Sequence, residues 1–218
     1  MLDSGIASPG GRHPGWPARL GSLRVAAGSL ALRPVRWRDG AAWSRFRLRD
    51  EDYLRPWEPD ASGRWDERHA RTSWPLQCSG LRSMARRGHA LPFAITVDGD
   101  FAGQLTLGNV VRGALCSAWV GYWVESELAG GGVATGAVAL AVDHAFGPVR
   151  LHRIEATVQP DNAASLRVLR KLGFRDEGLL LRYLEVAGRW CDHSCLAITR
   201  EEVGESMVAR LRRDGRAH

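Results

Sequence analysis

Three consecutive glycines, Gly130, Gly131 and Gly132, stand immediately before Val133-Ala134-Thr135-Gly136-Ala137. Glycines at these positions let successive backbone N–H groups converge without Cβ obstruction, and a helix start adds unpaired N–H groups and the positive end of its dipole. Phosphate is the ligand that suits such a nest. A plain strand-to-helix connector has the same composition, so the spacing alone leaves both readings open. Two other phosphate loops are excluded: no Lys-Ser/Thr pair follows the last glycine, and the Gly-x-Gly-x-x-Gly spacing of a dinucleotide fingerprint is absent.

The flanking elements decide how this loop is held. Ala118-Trp119-Val120-Gly121-Tyr122-Trp123-Val124 is aromatic and β-branched and reads as a strand. Val133, Ala137, Leu140 and Ala141 fall at i, i+4, i+7 and i+8, one face of an amphipathic helix running to about Phe146. A second stretch, Ile154 to Phe174, reads as a strand, a Pro160-Asp161-Asn162 turn, a helix with Leu166, Leu169 and Leu172 inward, and a stop at Gly173.

Together the two stretches resemble the GNAT acetyltransferases. In that family Gln/Arg-x-x-Gly-x-Gly/Ala wraps the pyrophosphate of acetyl-CoA, and Asn-x-x-Ser followed by Gly-Phe forms the other wall of the cofactor site. The first pattern falls here on Ala129 through Ala134, the second on Asn162, Ser165, Gly173 and Phe174. Leu54-Arg55-Pro56-Trp57-Glu58-Pro59, Gly121-Tyr122-Trp123-Val124 and the run from Arg182-Tyr183-Leu184 to His193 are similar to the Rim branch, the ribosomal-protein-alanine N-acetyltransferases. One departure stands out: Ala129 occupies the place of the usual Gln or Arg, so the backbone amides must hold phosphate without that side chain.

The resemblance implies an α/β GNAT fold, with a mixed, largely antiparallel sheet flanked by helices and two splayed parallel central strands. It implies that acetyl-CoA lies along Trp123, Val124, Gly130, Gly131, Gly132, Val133, Ala134, Thr135, Asn162 and Ser165, with the Val124 N–H donating to the thioester oxygen. Ser165 is then the general acid, although a hydroxyl there can also serve the helix entry. Glu58 is the first choice of base and Glu125 the reserve, with water as a third route. Trp57, Glu58, Asn109 and Tyr122 border the acceptor. Glu58 can equally be a solvated loop carboxylate beside a core Trp57, and Asn109 can simply start a turn. The implied reaction is transfer of acetyl to the α-amine of a protein N-terminus, of the ribosomal-protein-alanine type. The alternatives are a small-molecule amine acetyltransferase and a non-catalytic acyl-CoA-binding module.

Length and composition are compatible with this. The 218 residues, 44% hydrophobic, can form one domain with a core that needs no disulfide or metal. The net charge of +6 divides into +3, +2 and +1 over residues 1–70, 71–199 and 200–218, interleaved with acids. Direct nucleic-acid recognition, which calls for a clustered basic stripe, is not expected. Four cysteines, no secretory leader and no apolar run of membrane-spanning length place the expected compartment in the cytoplasm. Cys191, His193 and Cys195 alternate along one strand face, but a closed metal site needs a fourth ligand, so no metal is expected. Monomer and homodimer are both compatible with the sequence.

Along the chain, residues 1–20 have turn composition and are expected to be a flexible tail, 21–200 the single domain, and 201–218 a short helix with a basic end that frays. Asp39 is an N-cap candidate for a helix carrying Trp43, Phe46 and Leu48. Pro56 and Pro59 should hold an extended path, residues 61–69 a polar connector. Leu91–Val97 and Phe101–Val110 flank Asp98-Gly99-Asp100 as a hairpin. His144 falls on the buried side of its helix as an interior rather than catalytic histidine.

Overall fold

The computed structural model describes residues 15–218. In chain order the elements are β1 (Leu20–Val25), β2 (Gly28–Pro34), α1 (Gly40–Arg49), α2 (Glu51–Leu54), α3 (Trp65–His69), α4 (Trp74–Arg86), β3 (Leu91–Val97) and β4 (Asp100–Val111). They continue as β5 (Ser117–Val124), α5 (Val133–Phe146), β6 (Arg153–Val158), α6 (Ala163–Lys171), β7 (Arg175–Val186), β8 (Arg189–Thr199), α7 (Arg200–Val203) and α8 (Met207–Arg213). All eight strands join one sheet in the order β1-β2-β3-β4-β5-β6-β8-β7. Among the described strands only β5 and β6 run parallel, which matches the mixed, largely antiparallel sheet expected.

Residue parity along the strands separates two cores. Even positions of β5 and β6 (Ala118, Val120, Val124, Ile154, Ala156, Val158) pack with α5, α6 and α8 in the larger cluster. Trp123 lies on the other face with Trp43, Phe46, Trp74, Cys78 and Phe101. Helix α5 is buried almost all round rather than on one stripe, because α8 covers the side that the sheet leaves open. Its small residues allow this: a Cβ on Gly136 would come within 2.5 Å of Leu30 Cδ2.

The single parallel pairing controls the site. Strands β5 and β6 are in register only at Ser117↔Arg153, Ala118↔Ile154 and Trp119↔Glu155. Beyond Trp119, β5 continues five residues to Val124, about 17 Å, with no partner on that side. The two strands therefore splay into a wedge.

Several expectations about the ends and connectors are corrected. Residues 1–14 of the expected tail lie outside the described residues, but Trp16 packs edge-on against Phe93 at 5.5 Å and Gly15 O lies 2.7 Å from His144 Nε2. His144 is thus a core histidine, its pKa lowered by burial. Residues 65–69, expected in a connector, form α3, because Trp65 and His69 turn inward. The segment before Glu58 is not extended: Arg55–Trp57 is a 3-10 turn, and Glu58, which ends it, is in the β region. The C-terminus does not fray, since His218 and Arg24 exchange backbone hydrogen bonds of 2.8 and 3.0 Å and Ala217 is buried. Asp143 secures that end by accepting from Ser206 Oγ, Met207 N and Val208 N.

Carboxylate–guanidinium pairs tie the far edge of the sheet. Arg153 on β6 pairs with Glu155 and reaches Glu177 on β7; Arg175 joins Glu177 and Glu202. The hydrogen bond from Arg153 and the help of Arg175 hold Glu177 down at about 2. A carboxylate depressed in the folded state stabilises it fully above its unfolded pKa, and that contribution disappears as pH falls from about 4.5 toward 2. Glu177→Gln is accordingly expected to lower the melting temperature near neutral pH while flattening its decline between about pH 4.5 and 2. Melting curves of both proteins across that window check it; parallel declines contradict it.

Candidate active site

The glycine loop is held at defined points and left free elsewhere. Asp50, at the end of α1, accepts from Ser126 N and Ser126 Oγ at 2.8 Å each, and Arg49 pairs with Glu125 at 3.0 Å. Glu125, the reserve base, is buried and committed to that arginine. Ala27 N donates to Gly131 O at 3.1 Å. Gly130 and Gly132 take positive φ (80° and 82°), and a Cβ on Gly130 would meet nothing within 4 Å. Within this frame the N–H groups of Gly130, Gly132, Val133, Ala134 and Thr135 find no acceptor among the described residues. Five such donors at the start of a 14-residue helix are the arrangement that favours an anion.

The unpaired length of β5 runs to Val124, where this loop begins. Glu125 N donates to Ala102 O at 2.9 Å on β4, so by alternation the N–H and C=O of Trp123 also face β4, while those of Tyr122 and Val124 face the wedge. A Cβ on Gly103 would lie 2.2 Å from Trp123 O, which agrees. The expectation for Trp123 is corrected: its main chain is occupied by β4, and Tyr122 and Val124 supply the groups a ligand could pair with. The indole of Trp123 lies beneath the Arg47 guanidinium, 4.4 Å from ring centre.

The opposite wall is the first turn of α6. Asn162 caps it, Oδ1 accepting from Ser165 N at 3.0 Å. Backbone capping therefore uses the asparagine oxygen and leaves the Ser165 hydroxyl free of the helix. Ser165 Oγ instead lies 3.0 Å from Tyr122 Oη, so the two walls touch across the wedge. Burial pushes the Tyr122 phenol up to about 12, against the opposing effect of the Ser165 hydrogen bond.

The proposed acceptor residues divide. Gln159, at the end of β6, donates from Nε2 to Pro56 O at 2.9 Å, which sets Pro56-Trp57-Glu58 beside the wedge. Asp60 extends that contact to the β7–β8 hairpin: its N–H donates to Glu185 O at 2.8 Å, and its carboxylate accepts from Ala187 N and Gly188 N at 3.0 and 2.6 Å. Asn109 does not join them. Leu105 is the residue opposite Tyr122, so Asn109 lies four positions along β4, about 13 Å away, exposed and left-handed (φ 48°) at an irregularity in the ladder. Nor does it start a turn: it sits within β4 at that irregularity, two residues before the strand ends at Val111.

Glu58 is the main electrostatic surprise. Its carboxylate is paired with Arg47, with Arg68 at 3.4 Å and with His69 Nε2 at 3.4 Å. Burial alone would raise its pKa, but the His69 hydrogen bond and the charge of Arg47 hold it below the usual carboxylate range. Arg47 Nε, Arg68 Nε and Trp123 Nε1 are buried around it without partners among the described residues, so donors outnumber acceptors there. A carboxylate in such surroundings keeps its charge and takes up protons poorly. Neither this cluster nor Asp60 carries a local sequence signal, because their partners come from distant segments.

This sheet, its splayed pair and the loop define an acyl-transferase architecture, and the Acetyltransferase (GNAT) domain model matches residues 29–175, so the chain belongs to the GNAT acetyltransferase family. The individual proteins it resembles agree. RimJ of Mycobacterium smegmatis, solved in complex with CoA-disulfide, superposes with a TM-score of 0.93 at 60% identity, covering 94% of this chain and 99% of that one. The [ribosomal protein uS5]-alanine N-acetyltransferase of Escherichia coli (strain K12) is 28% identical over 188 residues, 85% of this chain and 95% of that protein. The probable N-acetyltransferase YjcK of Bacillus subtilis (strain 168) is 45% identical over 101 residues; the match spans 46% of this chain and 56% of that protein.

Proposed function

We propose that this protein transfers acetyl from acetyl-CoA to the α-amino group of a protein N-terminus, the acceptor being a ribosomal protein. The observation that supports this reading is the set of five N–H groups without acceptors among the described residues, in the loop and helix start that follow the unpaired end of β5. Its donors fit the diphosphate of the donor substrate, and the Tyr122 and Val124 main chains fit its amides. The relatives named for RimJ and for uS5 alanine supply the acceptor class.

The residues divide the work as follows. Val124 N–H donates to the thioester oxygen, where charge develops as the amine attacks. Ser165 gives its proton to the departing sulfur. The acceptor needs only to be neutral. An α-amino group of pKa about 7.8 is already roughly one-seventh free base at pH 7, so solvent water suffices to take its proton. Glu58, expected as the base, serves in this reading as the anchor that holds Arg47 and Arg68 beside the acceptor side.

Thiol release from acetyl-CoA tests the function against a panel of N-terminal peptides, polyamines and aminoglycosides. Turnover with peptides alone supports it; turnover confined to small amines replaces the acceptor class, and CoA binding without turnover leaves an acyl-CoA-binding module. Within the same reading, Asp60→Ala should release the hairpin from the acceptor side. The Michaelis constant for peptide is then expected to rise about 3- to 10-fold, the equivalent of one or two lost hydrogen bonds, with CoA affinity unchanged. Initial rates over a peptide series, with calorimetry of CoA, check this; an unchanged constant for peptide contradicts it.

A further inference from the structure

Of the contacts across the wedge, one is made by a side chain that the reaction steps above do not use. Tyr122 stands on the unpaired length of β5, and its phenolic oxygen is 3.0 Å from Ser165 Oγ and 3.5 Å from Ser165 O. The serine backbone N–H is already given to Asn162. The hydroxyl of Ser165 thus has one protein partner among the described residues, and that partner is another hydroxyl.

We propose that Tyr122 is a positioning residue for Ser165: it fixes the serine hydroxyl at the mouth of the wedge and replaces the proton that Ser165 gives to the leaving sulfur. The proposal rests on the acetyl-transfer reading above. In the step, the acceptor nitrogen forms a bond to the acetyl carbon and loses a proton to water, and the carbon–sulfur bond breaks with its electron pair going to sulfur. Ser165 Oγ–H protonates that sulfur while Tyr122 Oη–H protonates Ser165 Oγ. Tyr122 is left as phenolate and regains a proton from solvent, so the net products are the amide and free thiol.

The chemistry favours a pair over serine alone. A thiolate is a weaker base than an alkoxide, so a lone serine would hand over its proton uphill and end as an unsolvated alkoxide. Passing the charge to a phenol spreads it over a ring. The phenol also stays protonated throughout the working range, since its buried position holds it up near 12. Tyr122 therefore always has a proton to donate.

Tyr122→Phe keeps the ring and removes the hydroxyl. Turnover is expected to fall about tenfold, the loss of one well-aligned hydrogen bond in the step, with the Michaelis constant for acetyl-CoA and the calorimetric affinity for CoA within about twofold of the parent. The double variant with Ser165→Ala should be no slower than Ser165→Ala alone, because both changes break one relay. Losses that multiply, or a Tyr122→Phe variant as fast as the parent, would overturn the proposal. A crystal structure of nucleotide-free Tyr122→Phe supplies a readout independent of turnover: Ser165 Oγ should leave its present rotamer while the Asn162–Ser165 bond persists, and an unmoved Oγ counts against positioning. Should the variant not fold, a single-turnover proton inventory on the unaltered protein decides. A curved inventory, two protons in flight, supports the relay, and a linear one rejects it. If the unaltered protein acetylates no amine at all, the function itself falls; if it does and only these Tyr122 results fail, the function stands without the relay.

Discussion

Ser165→Ala is expected to lower turnover about 10- to 1,000-fold while leaving the affinity for CoA nearly intact. Two roles compete for this side chain, and the capping geometry bears on the first of them. If Ser165 served the helix entry, its hydroxyl would take an orphan N–H of α6; Asn162 Oδ1 does that instead, at 3.0 Å from Ser165 N. Removal of the hydroxyl therefore spares the cap, and the expected stability cost is that of one hydrogen bond to Tyr122, about 1 kcal/mol. The catalytic cost is larger because the departing thiolate then has no placed proton. Calorimetry of CoA and steady-state rates with the best peptide measure the two separately. Turnover equal to the parent would remove Ser165 from the reaction, and a parallel loss of CoA affinity would make it a binding residue instead.

What could be read from the sequence is what the chain states locally. Gly130 to Gly132 before Val133, and Asn162 three residues before Ser165, are short-range patterns whose geometry follows from backbone freedom and capping alone. The wedge is implied by the family resemblance rather than by any local pattern; the crossover through α5 is compatible with the parallel pairing of β5 and β6, but where that pairing stops is set by the sheet as a whole. The rest is set by partners that no window contains. The Glu58 carboxylate is held below the usual range by His69 and Arg47, each eleven residues away, and Asp60 meets its hairpin 127 and 128 residues downstream. Trp123 illustrates a smaller failure: its proximity to the loop was legible, but which side its N–H faces depends on strand parity against β4. Residues 65–69 read as polar because the two side chains that make them a helix, Trp65 and His69, are outnumbered by charged neighbours.

Helix α5 allows the backbone nest to be tested without altering a side chain that binds anything. Ala134 is the second residue of α5 and only partly buried, so proline there removes one N–H donor at a position where no intrahelical bond is lost. Proline disfavours helical geometry in the residue before it, here Val133, but a first helical turn tolerates it, and the melting temperature is expected to fall by only a few degrees. Affinity for CoA should suffer far more. A hydrogen bond to a charged group contributes about 1.5–3 kcal/mol, so losing one donor to the diphosphate corresponds to a dissociation constant raised about 10- to 150-fold. Because Ala129 offers no side chain to the phosphates, no neighbouring cation compensates at that position. Ala134→Ser, which retains the N–H, should bind CoA as the parent does and serves as the control. Equal CoA affinity in the proline and serine variants would show that the diphosphate is held somewhere other than the start of α5. A proline variant that binds 10- to 150-fold more weakly, while its melting temperature stays close to the parent's, locates it at the main chain there.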